Sequence, residues 1–467
     1  MTPSTAKFTT TATHVIQSDH PITLSDPYML GPFDQLGHFA TPINAVWIYH
    51  PSPSGDLIPV DRLRKAISRL LDYYPHLTGR LRIDPATGVR SMTRLGTGIH
   101  LSEAQCDAPL RSFARNPSAP DTDPELGVFD FPNAGNALLA PWDLSLDGAQ
   151  RDPVLTIQRT EFACSSVALG VRISHVLCGA GSFLGLYQDL AAIYRAMADP
   201  AKSETIELAS PPHLPPFMVA EMLHKEEHER RQALAEPPAA YSLTDPDAGT
   251  QTHAQNELDF QHTLATDPIE GRSLRFSASA IAALKAHAVN PDQPSARVSG
   301  FTALAAHLWQ RVHRARLARA KANAATDGET PATLGSSVFG TSVSFVPHLG
   351  LPERVFGNTV VTPVIELDSP ALTQRPLWEI AAMINDRIRH VSAEEVHKLG
   401  KWIAAQPDTS RIQLHFPVTA AAPFIATGWH RFPLYSGAEM DGAGPVLASP
   451  VFMDACLMGW CISWNPG

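Results

Sequence analysis

A histidine closing an alternating apolar run is the strongest chemical signal in this chain. In VRISHVLCGAGSF, His175 follows Val167, Leu169, Val171 and Ile173 in phase, so it continues their face. A histidine at a strand end, ahead of a turn of small residues, stands where a substrate can approach. Gly179 and Gly181 leave room beside it, and an imidazole neutral near pH 7 suits a general base. The same pattern fits a core histidine satisfied by backbone groups. Cys178, three residues on, makes a Cys/His nucleophilic pair conceivable. No oxyanion signature accompanies it, and a small buried cysteine explains it as well.

Other candidates carry less. His224 and His228 stand at i, i+4 in HKEEHER, but the glutamate that zinc proteases place beside the first histidine is missing. A solvated, charged helix face accounts for that run, and no metal site is expected. Arg311, His313, Arg314, Arg316, Arg319 and Lys321 could meet phosphates, yet on a helix they spread around much of the surface. No P-loop, GxSxG elbow or GxGxxG fingerprint occurs.

These residues need elements to hold them. Val167 to Ser174 alternates as a strand, and Phe183, Tyr187, Leu190, Tyr194 and Met197 recur as a helix after the CGAGS turn. Asp61 to Tyr74 carries an amphipathic stripe that stops at Pro75. From about Ser203 to Glu257 the chain is rich in Pro, Glu, Lys and His, which predicts a crossover with one charged helix near Ala220 to Ala235. A second half follows: helices over Ser279 to Ala288, Phe301 to Val312 and Pro376 to Arg389, with strands near Ser336 to Val346 and Asn358 to Ile365. The fold class is α/β in two halves of similar size.

The chain has 467 residues with 41 Pro, 29 Gly, 18% charged and 44% hydrophobic residues. That balance excludes a disordered or collagen-like chain and supplies two or three buried cores. A net charge of −10 disfavours nucleic acid and anionic membranes as partners. Five cysteines, an odd number without a CxxC pair, read as reduced cytosolic thiols. With no apolar leader and no long apolar stretch, a soluble cytoplasmic protein is expected.

Six segments in order resemble the BAHD family of CoA-dependent acyltransferases, especially its fungal, trichothecene-acetyltransferase-like branch. ITLSDPYMLGPFDQL resembles the family's LS-x-LDQ stretch, and YYPHLTGRL (Tyr73 to Leu81) its YPHLAGRL. The His175 segment occupies the place of the HxxxDG motif. SGFTALAAHLWQRVHRAR (Ser299 to Arg316) is similar to the helix opening the second domain, LPERVFGN (Leu351 to Asn358) to LPxGYFGN, and TGWHRFPLY (Thr427 to Tyr435) to TSWxRFPLY.

The resemblance implies two domains of chloramphenicol-acetyltransferase-like topology with a tunnel between them. These would be an N-terminal domain over 1–205, a crossover over 206–260 and a C-terminal domain over 261–467. It implies acyl transfer from acyl-CoA, a co-substrate rather than a bound cofactor, to a hydroxyl or amine of a small metabolite, by a monomer. His175 would be the general base, Gly179 would lie at the substrate, and Thr427 or Trp429 would supply the oxyanion donor. Two departures stand out. The motif's aspartate is Gly179, and the arginine that pairs with it in the family is Ser344. The family's DFGWG motif is reduced to SGAEMDGAGPV, with Asp441, Gly442 and Gly444 as remnants. These departures motivate an alternative: the same fold performing CoA-independent cyclisation, isomerisation or elimination on a natural-product intermediate. A non-catalytic binding protein is a third.

Overall fold

The computed structural model describes residues 6–37, 41–51, 56–116, 124–198, 206–214, 226–244, 274–327, 334–414, 421–452 and 460–463. The two main sheets use β1 (Phe8–Ile16), β2 (Ile43–Tyr49), β3 (Ile99–Cys106), β4 (Leu155–Phe162), β5 (Val167–Ile173), β6 (Ser337–Thr341), β7 (Val364–Leu367), β8 (Ala421–Gly428), β9 (Leu447–Pro450) and β10 (Trp460–Ser463). The helices that concern the site are α1 (Val60–Tyr73), α2 (Ala180–Ala196), α3 (Gly300–Asp327), α4 (Leu377–Arg389) and α5 (Ala393–Ala405).

The first sheet has the order β1-β3-β4-β5-β2-β9 and is antiparallel except at β3–β4. Leu63, Ala66, Ile67, Leu70 and Leu71 recur on one side of α1 and are buried. They share a core with Val167, Leu169, Val171 and Ile173 of β5 and with the apolar face of α2. The strand alternates in sequence, yet every residue of β5 is buried. Its second face is covered by the loop around Phe131, Leu138 and Leu139, which packs on Val46, Ile48, Phe162 and Ala168. Gly170 permits that cover: a Cβ there would come within 2.0 Å of the Leu138 carbonyl oxygen.

The second sheet has the order β7-β6-β8-β10, with β8 parallel to both neighbours. Trp309 of α3, Ile380 and Ile384 of α4, and Phe339 and Phe424 of the sheet form its core. Phe33, from the first half, joins Phe345, Val396 and Trp402 in a cluster that spans the two units. The crossover is docked as well, with His213 N–H donating to Arg354 O at 2.8 Å and Phe356 N–H to His213 O at 2.9 Å.

One strand departs from the division read from sequence. Residues 447–450, grouped by order with the second half, form β9 at the edge of the first sheet against β2. An edge position tolerates Pro450, which cannot donate to a ladder. The preceding segment is tied to the first unit too: Trp47 Nε1 donates to Leu434 O at 2.9 Å and Tyr49 Oη to Ala438 O at 2.6 Å. Among the described residues, no helix is long and apolar enough to cross a membrane.

Candidate active site

β5 delivers the chain to the site. Ser174 N–H donates to Val154 O at 2.9 Å, and a turn closed by Leu177 N–H to Ser174 O at 3.1 Å sets off His175. Gly179 caps α2 in an extended conformation, and its N–H donates to Gly357 O at 3.1 Å. Ser182 Oγ, one turn into α2, donates to Val355 O at 3.3 Å and Gly357 O at 3.1 Å. The FGN loop of the second unit therefore clamps the histidine turn of the first.

Asn358 completes the clamp. Its Nδ2 donates to the carbonyls of His175 and Val176, at 3.0 Å each. The same nitrogen and the Asn358 backbone N–H reach Asp34 Oδ1 at 3.0 and 2.9 Å. Asp34 lies in the short 3-10 turn Pro32–Leu36, and its Oδ2 accepts Gly31 N–H at 3.2 Å. Gly37, at the end of that turn, abuts the histidine turn: an added Cβ would stand 2.6 Å from Val176 Cα and 2.8 Å from His175 O.

Burial pushes the His175 pKa down, against smaller raising effects of its own carbonyl, the Asn358 side chain and the Cys178 backbone. The ring is thus neutral near pH 7, as a general base must be. Its Nδ1 is buried and finds no hydrogen-bond partner among the described residues. Burial pushes the Asp34 carboxyl up to about 7, although the Asn358 and Gly31 donors and the Arg90 charge oppose the shift. Burial likewise pushes the Cys178 thiol well up, which fits an inert core residue and not an activated nucleophile.

The remaining sequence candidates take different places. Gly179 faces Asn358, whose Oδ1 would be 4.0 Å from a Cβ there. Ser344 is exposed on a two-residue strand and accepts Val346 N–H through Oγ at 3.4 Å, so no ion pair forms at the family's position. Trp429 is buried in the core that contains Val176, Leu177 and Phe356, edge-on to Phe432. Thr427, half-buried, lies one residue before the end of β8. Asp441 is structural: it pairs with Arg62 of α1, accepts Tyr194 Oη of α2 at 2.9 Å, and accepts Ile58 N–H at 2.7 Å. Gly442, at φ +83, turns the chain after it, while Gly442 and Gly444 are exposed with open space around them.

His228 is exposed and pairs with Glu226 at 3.2 Å, while His224 lies outside the described residues. Among the described residues no cluster of three metal-ligating side chains occurs. In the basic run, His313 is buried against Ser369 at 2.8 Å and Arg311, Arg314 and Arg319 face solvent. Asp34 and Asn358 carry no chemical signal in the sequence, although both sit inside matched motifs, GPFDQL and VFGN.

A family model described as Transferase family matches residues 6–454. The chain belongs to this family, the BAHD acyltransferases. As a BAHD acyltransferase it is an acyl-CoA-dependent transfer enzyme. It is 24% identical over 348 residues to acyltransferase GLAUCE of Arabidopsis thaliana, covering 73% of this chain and 66% of that one. It is 23% identical over 423 residues to shikimate O-hydroxycinnamoyltransferase of Nicotiana tabacum, covering 88% and 83%. Its fold is that of vinorine synthase (TM-score 0.63, 16% identity, 98% of this chain and 91% of that one). It is also that of TRI101 from F. graminearum, complexed with coenzyme A and deoxynivalenol (TM-score 0.60, 16% identity, 94% and 92%).

Proposed function

We propose that this BAHD acyltransferase moves an acyl group from acyl-CoA to a hydroxyl or amine of a small secondary metabolite, with His175 as general base. The observation that carries this reading is the half-buried His175 on a turn that Asn358 of the second unit holds, where burial pushes the imidazole pKa down. The base takes the proton of the acceptor X–H as X attacks the thioester carbonyl carbon. The tetrahedral intermediate then expels the CoA thiolate, the C–S bond breaks, and the imidazolium returns the proton to sulfur. Net, acyl-CoA and X–H become acyl-X and CoA–SH. Thr427 and Trp429 lie in the segment from which an oxyanion donor would come. A tunnel between the units would hold both substrates and supply the advantage of proximity.

The relatives' names, hydroxycinnamoyl transfer to shikimate and acetyl transfer to taxadien-5-alpha-ol among them, favour a hydroxyl acceptor. The trichothecene-acetyltransferase-like branch remains our reading on the motifs. The acidic chain acts in this reading as a cytoplasmic monomer without nucleic-acid or membrane partners. The CoA-independent alternative drew on the degraded motifs, and Asp441 weakens it by keeping a firm structural tie. The test is thiol release from acetyl-CoA and longer acyl-CoAs with a panel of hydroxylated acceptors. His175→Ala is expected to slow release by about 10²–10⁴-fold. Release unchanged in that variant would overturn the role of His175.

A further inference from the structure

The ion pair expected one turn beyond the family's histidine is missing at both ends, at Gly179 and Ser344. Yet the turn is not left without a carboxylate. Asp34, 3% exposed, shares the Asn358 side-chain nitrogen with the His175 and Val176 carbonyls. An amide nitrogen with two hydrogens is shared among three acceptors here, so which end of the amide points where depends on those acceptors. An ionised carboxylate accepts only. Asp34 Oδ1, already holding Asn358 N–H, therefore draws Nδ2 to its own side and to the two carbonyls, and leaves Asn358 Oδ1 toward Gly179.

We propose that Asp34, acting through Asn358, is the positioning residue for the His175 turn in this chain. The proposal rests on the reading of His175 as the base. The groups facing Asp34 are Arg90, from the strand Arg90–Thr93, together with Tyr28 and, on the histidine turn itself, Cys178. Arg90 Nη1 donates to the Asp34 and Gln35 carbonyls, so its charge holds the Pro32–Leu36 turn and leaves the carboxylate to Asn358.

Two measurements test it. In protein labelled at histidine Cε1, the His175 resonance, identified by its loss in His175→Ala, is followed from pH 5 to 9. The wild-type resonance is expected to show a step near pH 7 as Asp34 ionises, where its carboxyl titrates at about 7. The step is expected to vanish in Asp34→Asn, a variant that keeps shape and one acceptor, and to shrink in Asn358→Ala. An unchanged step in Asp34→Asn overturns the proposal.

In thiol release from acetyl-CoA, Asp34→Ala and Asn358→Ala are each expected to lower kcat about tenfold or more with little change in KM. The double variant should be no slower than either single one, because the two act as a unit. Multiplicative losses, or a loss of thermal stability with kcat intact, overturn it. If His175→Ala leaves kcat unchanged, the general-base reading fails instead, and the resonance titration still judges the Asp34 link.

Discussion

Asn358 and His175 stand 183 positions apart in sequence and 3.0 Å apart in space, joined by a side-chain amide that donates to a main-chain carbonyl. The contact ties a loop of the second unit to the His175 turn of the first. It holds the backbone of His175 and also works against the downward push of burial on the ring's pKa.

Truncating Asn358 leaves the Val176 carbonyl and Asp34 Oδ1 short of a donor in a buried setting. Each unsatisfied buried group costs about 1–3 kcal/mol. Asn358→Ala is expected to lower the thermal midpoint clearly, whereas Asn358→Asp should be worse, because it sets a second carboxylate beside Asp34. Melting curves of the two variants at pH 7.5 check the order.

Stability should depend on pH through two buried groups of opposite sign. The Asp34 carboxyl, at about 7 when folded, holds a proton that the unfolded chain releases above about pH 4. Its contribution therefore falls as pH rises from about 4 to 7. His76 is pushed down to about 3 by burial, so the unfolded chain takes up a proton below about 6.5 that the folded protein refuses. That contribution is lost as pH falls from about 6.5 toward 3. Asp34→Asn should consequently lose stability more steeply on acidification than the wild type. Denaturation midpoints at pH 5 and 7.5 give the comparison.

Asp441 should matter to stability and not to chemistry. Its partners are Arg62, Tyr194 and Ile58, on and beside helices α1 and α2. Removing the carboxylate from a largely buried pair strands Arg62, at a cost near the low end of about 3–5 kcal/mol. Asp441→Ala is expected to melt earlier while keeping its rate of thiol release well below the new midpoint. A large fall in kcat at unchanged stability would contradict the structural role.

Gly37→Ala puts a methyl group against backbone, where no side chain can swing aside. Overpacking of this kind costs about 1–3 kcal/mol, and here the displaced atoms belong to the His175 turn. A loss of thiol release out of proportion to the fall in melting temperature is the expected signature. Equal activity in the variant would show that the turn can shift freely.

Much of the scaffold was legible because local periods report it. The stripe of α1, the strand–turn–helix around His175 and the two-half α/β order all follow from spacing that the chain repeats within ten or fifteen residues. Burial of β5 on both faces did not show, since its cover comes from a loop around Leu138 whose residues carry no period. Neither did the edge position of β9, Leu447–Pro450, whose partner residues are Ile48 to Ala45 near the other end of the chain. The site divides the same way. His175 announces itself by phase, whereas Asp34 and Asn358 acquire meaning only when three distant segments meet. In sequence Asp441 is only a motif remnant, and its ties to α1 and α2 supply the physical content of that remnant.

The edge strand β9 also sets a schedule for making the protein. A ribosome finishes β5 about 270 residues before it reaches β9, a delay of roughly 15–55 s at 5–20 residues per second. Throughout that interval β2 exposes a bare edge of unpaired backbone groups, a template for pairing with other chains. Nascent chains paused between the two strands should therefore be the aggregation-prone species in expression, and the ones that chaperones hold. Supplying Leu434 to Phe452 in trans as a peptide would be a direct way to cap that edge early.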